Sequence, residues 1–260
     1  MPPVVFIMID GARPDALTTA HCPHFSALRA RSSWTLRASS VMPSITLPCH
    51  TSIFHSVPPA RHGITSNVWA PMARPLPGIV ELAHAAQLKT AFIYSWECLR
   101  DMSRPLHLDF SYFRANYHSA DGDQVLADEA AHCIADDQPD FTFIYFGTVD
   151  QWGHDHGWMS EKYLAQLERV DAALGTVLNA LADDYAVLLQ SDHGGHDRHH
   201  GTDSPEDMTI PWLVAGPGVK GGHEINAPVS LLDTAPTIAH LLSIPPHPEW
   251  EGRAVEEIFH

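Results

Sequence analysis

The chain has 260 residues, 45% hydrophobic and 18% charged, with 31 acidic and 15 basic side chains and a formal net charge of −16. That length can bury a full core in one domain, and the composition excludes a disordered polymer. So acidic a surface argues against nucleic acid or an anionic membrane as a partner, and no apolar run reaches the roughly 20 residues that cross a bilayer.

In chain order, Val4–Ile9 is an apolar run of strand type. It starts without a basic leader, so no signal peptide is expected. A helix is predicted over Gly78–Gln87, a strand over Thr90–Tyr94, a helix over Asp121–Ala135 and a strand over Phe141–Phe146. Tyr163–Leu181 is the clearest helix: Leu164, Leu167, Val170, Leu174, Val177, Leu178 and Leu181 fall on one stripe, which reads as core packing. Strands over Ala186–Gln190 and Pro211–Ala215 follow, then a helix over Ser230–Leu242. The strand–helix alternation predicts an α/β fold, a mostly parallel central sheet with helices on both faces, in a single domain over 1–260. Pro71–Pro77 and Ile244–Pro248 read as surface loops. The four cysteines are scattered and form no CxxC pair, which fits free thiols in a cytoplasmic protein.

In a parallel sheet, ligands bind beyond the carboxyl ends of the strands. Asp10 directly follows Val4–Ile9, Asp150 follows Phe141–Phe146 after a short loop, and Asp192 and His193 follow Ala186–Gln190. Three distant segments thus bring carboxylate or imidazole to one sheet edge. Asp10-Gly11 alone could be a turn, but Asp150-x-x-Gly-His154 and Asp192-His193-Gly-Gly supply acid and imidazole together, as metal ligands do. His196, His199 and His200 follow, and the chain holds 19 histidines in all. Bound divalent cations would give this acidic chain the local positive charge that an anionic substrate needs. In Pro43-Ser-Ile-Thr46-Leu-Pro-Cys-His50, Pro48 suits a first helical turn. That places Thr46 near a helix N-terminus, as an N-cap or beside a bound anion.

Taken together, these segments resemble the alkaline phosphatase superfamily and, within it, the type I phosphodiesterase/nucleotide pyrophosphatase branch. The order is Asp10-Gly11, Thr46 in Thr-x-Pro-x-His, Asp150-x-x-Gly-His154, Asp192-His193-Gly, then a later His-Gly. The resemblance runs from Val4 to about Arg253 and implies an alkaline phosphatase-like three-layer sandwich. It implies two divalent metal ions, most often zinc, with manganese or iron chemically suited too. Asp150, His154 and His200 would bind one, His199 being the fallback for His200 and His196 a third choice. Asp10, Asp192, His193 and the Thr46 oxygen would bind the other. Thr46 would attack phosphorus and pass through a phosphothreonine intermediate, the substrate being a small phosphate ester. Asn67, in His62-Gly-Ile-x-x-Asn67, would donate to a phosphate oxygen, an amide suiting a singly charged diester. Leu47 and Tyr145 would lie against the substrate.

The chain departs from the branch pattern at Leu47 in place of an aromatic, Cys49 in place of Asn and Val149 in place of Pro. His193 and His200 are only seven positions apart, which leaves no room there for the cap domain of larger relatives. Phosphonate hydrolysis, phosphomonoester hydrolysis and a non-catalytic metal-binding role are the alternatives. A sulfatase would need Cys or Ser where Thr46 stands and Arg where His50 stands.

Overall fold

Alternate side chains of Val4–Ile9 part to opposite sides, and this sets the layering. Val4, Phe6 and Met8 enter one apolar core, while Val5, Ile7 and Ile9 enter a second. The strand is therefore buried on both faces, as a central strand of a covered parallel sheet must be. The computed structural model describes residues 1–260.

The strands are β1 (Val4–Ile9), β2 (Ser33–Ser39), β3 (Thr90–Tyr94), β4 (Phe110–Phe113), β5 (Phe141–Phe146), β6 (Ala186–Gln190), β7 (Thr209–Ala215) and β8 (His223–Glu224). They form one sheet in the order β4-β3-β5-β1-β6-β7-β2-β8. β4, β3, β5, β1 and β6 run parallel, β7 is antiparallel to both β6 and β2, and β8 is parallel to β2. The helices are α1 (Pro14–Thr19), α2 (Pro23–Ala30), α3 (Thr46–His55), α4 (Pro59–His62), α5 (Ile79–Ala85), α6 (Gly122–Asp136), α7 (Thr148–His156), α8 (Glu161–Ala180), α9 (Pro205–Met208) and α10 (Thr234–Leu241). Leu47, Ile53 and Phe54 of α3, Ile79 of α5 and Ile238 of α10 pack on one face of the sheet. Phe25 of α2, Leu126 of α6 and Tyr163, Leu167 and Val170 of α8 cover the other. The result is the expected three-layer alkaline phosphatase-like sandwich.

The predicted strands and helices are all present, most with ends that match or differ by one or two residues and α10 starting four residues later than expected, and three strands were not legible. β2 alternates buried and exposed positions around Arg37, β4 is half exposed at one edge and β8 is two residues long. None offers a continuous apolar run. β7 starts at Thr209, two residues before the predicted Pro211. A proline inside a strand removes a ladder donor. Here the register between β2 and β7 shifts between Thr35, opposite Trp212, and Ala38, opposite Ile210, so Pro211 faces a bulge that spares the missing N–H.

Asp150 follows β5 after a short loop, as expected, but it lies in the first turn of a helix that was not predicted, α7. The start of this helix is capped from far away. The buried Asp123 carboxylate in α6 accepts the N–H groups of Gly147 and Thr148 and the Thr148 hydroxyl. The N-cap residue is Gly147, which has no side chain to cap with, so a reading by local caps misses the helix. Burial pushes the Asp123 carboxyl up to about 6, against those three donors. No helix is long and apolar enough to cross a membrane, and none of the four cysteines is paired with another.

Candidate active site

The carboxyl ends of β1, β5 and β6 lie side by side, and the acids and imidazoles beyond them converge with the start of α3. Asp10 directly follows β1, and the next residue, Gly11, turns with φ +68°. A Cβ there would stand 2.9 Å from the Asp150 Cα, so only glycine lets these two chain segments approach. Asp150 and His154 sit one turn apart on α7, on one face of the helix. Asp192 and His193 follow β6 and are fully buried.

Thr46 is the first residue of α3, behind an extended Ile45 that makes no side-chain cap. It is therefore not the N-cap. Its Oγ1 lies 3.2 Å from His193 Nε2. That nitrogen is also 3.4 Å from Asp10 Oδ1 and 3.4 Å from Asp192 Oδ2. Asp150, His154 and His200 form the adjoining group: Asp150 Oδ2 is 3.5 Å from His154 Nε2, and Asp150 Oδ1 is 3.6 Å from His200 Nε2. The His193 and His200 rings stack at 3.8 Å and join the two groups. His199 and His196 lie apart from this constellation, against each other.

The hydrogen-bond pattern fixes which atoms are free. His193 Nδ1 meets the Gly194 carbonyl at 2.8 Å, His154 Nδ1 the Arg198 carbonyl at 2.9 Å and His200 Nδ1 the Ser44 carbonyl at 2.7 Å. A carbonyl only accepts, so each Nδ1 carries the proton and each Nε2 keeps its lone pair. The carboxylates show the same division. Asp10 Oδ2 accepts from the Tyr145 hydroxyl, and Asp192 Oδ1 from the N–H groups of Gly11 and His193. Asp10 Oδ1, Asp192 Oδ2 and Asp150 Oδ1 are buried without a partner.

Lone pairs facing buried carboxylate oxygens repel one another unless a cation lies among them. Burial, then the charges of Asp192 and Asp150, push the Asp10 carboxyl well above its ordinary range, and burial raises the Asp150 and Asp192 carboxyls. Burial holds the His193 and His200 imidazoles down to about 4, so both are neutral and able to ligate at neutral pH. The donor set thus fits divalent cations: Asp10 and His193 with Asp150 in one cluster, Asp150, His154 and His200 in the other.

Three expected contacts differ in detail. The Leu47 side chain is fully buried in the core, since it points from α3 into the sheet, and cannot lie against a substrate. Tyr145 is likewise buried on β5, and its hydroxyl holds Asp10 rather than lining a pocket. Asn67 is near the start of α3, where its Oδ1 accepts the Leu47 N–H at 3.0 Å. That contact leaves the amide NH2 as its free end. The Thr46 N–H makes no hydrogen bond, so this backbone donor and the Asn67 amide are both open at the start of α3.

Trp158 and His50 were missed by the sequence reading. The Trp158 indole donates to the Gly11 carbonyl at 2.9 Å, and its ring packs edge-on to His154 and His200. A Cβ on Gly153 would stand 2.5 Å from that indole, so the glycine between Asp150 and His154 makes room for it. His50 bonds the Thr46 carbonyl through Nδ1 at 2.8 Å, and the same nitrogen is 3.5 Å from Asp192 Oδ2. Its place in Thr-x-Pro-x-His was the available signal; Trp158 carried none.

Known proteins resemble this chain in parts of the sequence and in the fold. Over 104 residues the chain is 33% identical to phosphopentomutase of Clostridium perfringens, covering 38% of this chain and 26% of that protein. Over 93 residues it is 38% identical to arylsulfatase K of Danio rerio, covering 32% of this chain and 18% of that one. The chain thus spans about a quarter or less of these curated relatives. Its fold superposes on murine ectonucleotide pyrophosphatase/phosphodiesterase 5, solved in an inactive form with AMP, with a TM-score of 0.83 at 15% identity over 100% of both chains. The sequence model of the type I phosphodiesterase/nucleotide pyrophosphatase family matches residues 4–78 and 79–208. The chain belongs to that family.

Proposed function

We propose that this chain is a divalent-metal-dependent hydrolase of phosphate esters, with Thr46 as nucleophile and a preference for phosphodiesters. The observation that carries the reading is the position of Thr46 Oγ1, 3.2 Å from His193 Nε2, beside the unpartnered oxygens of Asp10 and Asp192. Asp10, Asp192, His193 and Thr46 would hold one ion, and Asp150, His154 and His200 the other. When bound, such ions polarise the attacking hydroxyl and offset the charge of the phosphoryl oxygens. Zinc suits the mixed Asp/His donors, and manganese or iron would also fit.

Thr46 Oγ1 forms a bond to phosphorus as the bond to the leaving oxygen breaks, and the hydroxyl proton passes to the departing alcohol. Water then cleaves the phosphothreonine and restores the hydroxyl. The free Thr46 N–H and the Asn67 NH2 are the chain's own donors to the phosphoryl oxygens, at the positive end of the α3 dipole. A neutral amide in place of a cation matches a singly charged diester. The murine neighbour's AMP complex supports a nucleotide-type substrate class. The span from His193 to His200 supports a single domain whose site has no inserted cap there, and the unpaired cysteines support a cytoplasmic setting.

Purified protein with zinc or manganese, assayed on an aryl phosphodiester, phosphomonoester and phosphonate, tests the reading. The highest kcat/KM is expected on the diester; a higher value on the monoester overturns that preference. Thr46→Ala is expected to abolish turnover of all three, and full activity in that variant removes Thr46 as nucleophile.

A further inference from the structure

A second group of ligand-bearing side chains lies outside the Thr46 centre, in the segment after His193. His196, Asp197 and His199 bring their ligand atoms within 4.8 Å of one another. His196 is partly exposed and the other two are exposed. The backbone beneath them is pinned: the His196 N–H donates to the His199 carbonyl and the His199 N–H to the His196 carbonyl, both at 3.0 Å. Asp197 between them takes a left-handed conformation, φ +48°, which Asp tolerates better than most residues.

A third observation points to a ligand. His196 Nδ1 bonds Asp207 Oδ1 at 2.7 Å, and Asp207 is fully buried. The other Asp207 oxygen accepts the Thr202 N–H at 2.9 Å and the Thr202 hydroxyl at 2.7 Å. The Asp207 carboxylate is an acceptor on both sides, so His196 Nδ1 carries the proton and Nε2 keeps its lone pair. A carboxylate behind one nitrogen is the arrangement that orients metal-binding histidines. A surface ion pair would explain His196 with Asp207 but would leave the convergence of Asp197 and His199 unexplained.

We propose that His196, Asp197 and His199 form an outer site for a divalent transition-metal ion, separate from the ligands around Thr46. Two imidazoles and one carboxylate suit zinc or cobalt, with water completing the coordination. The same segment carries the Arg198 carbonyl that orients His154, and His200 itself. An ion at the outer site therefore clamps the stretch that aims two inner ligands. The site stands without the proposed activity; only this clamping effect rests on it.

The full chain, loaded with zinc, freed of excess ion and analysed for metal per polypeptide, is expected to hold three ions, and His199→Ala two. His199 is exposed, so the variant should melt with the parent. In a His154→Ala background, cobalt titration should still give an imidazole-bound visible spectrum, and adding His199→Ala should lower its intensity by the share of one ion, the His193 site keeping the rest. Unchanged stoichiometry in His199→Ala, or an unchanged cobalt spectrum in the double variant, overturns the outer site. If the inner reading is wrong and the outer one right, the parent holds one ion and His199→Ala none.

Discussion

The Asp123 carboxylate accepts the Thr148 N–H at 3.0 Å and its hydroxyl at 2.6 Å, so a residue of α6 caps the helix that carries Asp150 and His154. Asp123→Ala leaves buried donors at the α7 start without an acceptor. Each such loss costs about 1–3 kcal/mol. Chemical denaturation is expected to show a loss of about 3 kcal/mol, together with weaker metal binding. Unchanged stability would mean that α7 starts equally well without this cap.

Asn67 holds the Leu47 N–H with its oxygen and keeps its NH2 free. Asn67→Asp preserves the acceptor and removes the donor. Thermal stability should stay close to the parent while kcat/KM on an aryl diester falls by roughly 100-fold, as for loss of one transition-state donor. A parent-like kcat/KM would assign Asn67 a purely structural part.

Tyr145→Phe separates support of Asp10 from contact with substrate. Partners that orient a metal ligand typically change metal affinity by about 10–100-fold when removed. Competition with a chelator should reveal a loss of that order, with KM unchanged at saturating metal. A raised KM with intact metal affinity would return Tyr145 to the substrate side.

His62 is buried, donates to Ser52 through Nε2 at 3.0 Å, and accepts the Ile64 N–H on Nδ1 at 3.1 Å. Burial, then the neighbouring His55, lowers its pKa from 6.5 to about 4. The unfolded chain therefore binds the proton first as pH falls. His62 contributes stability that is fully present above about 6.5 and is lost as pH falls through about 4. Denaturant midpoints of the metal-free protein should drop from pH 7 to 4.5, and His62→Gln should shallow that slope. An identical slope in the variant would exclude His62 as a contributor.

The sequence by itself determined the layering, because apolar runs and helical stripes are local patterns that any packed sheet must respect. It also determined which acids and imidazoles end the strands, since Asp10, Asp150 and Asp192–His193 each follow β1, β5 or β6 within a few positions. Thr46 at a helix start was legible from Pro48. What only the tertiary structure decided is where side chains point and what lies behind them. Leu47 turns into the core, Tyr145 turns to Asp10, and His200 rather than His199 meets Asp150 and His154. Adjacent residues in an irregular segment have no fixed period, so their directions follow from packing. The cap of α7 by Asp123 and the Trp158 indole against His200 are likewise long-range contacts, set by how the layers close.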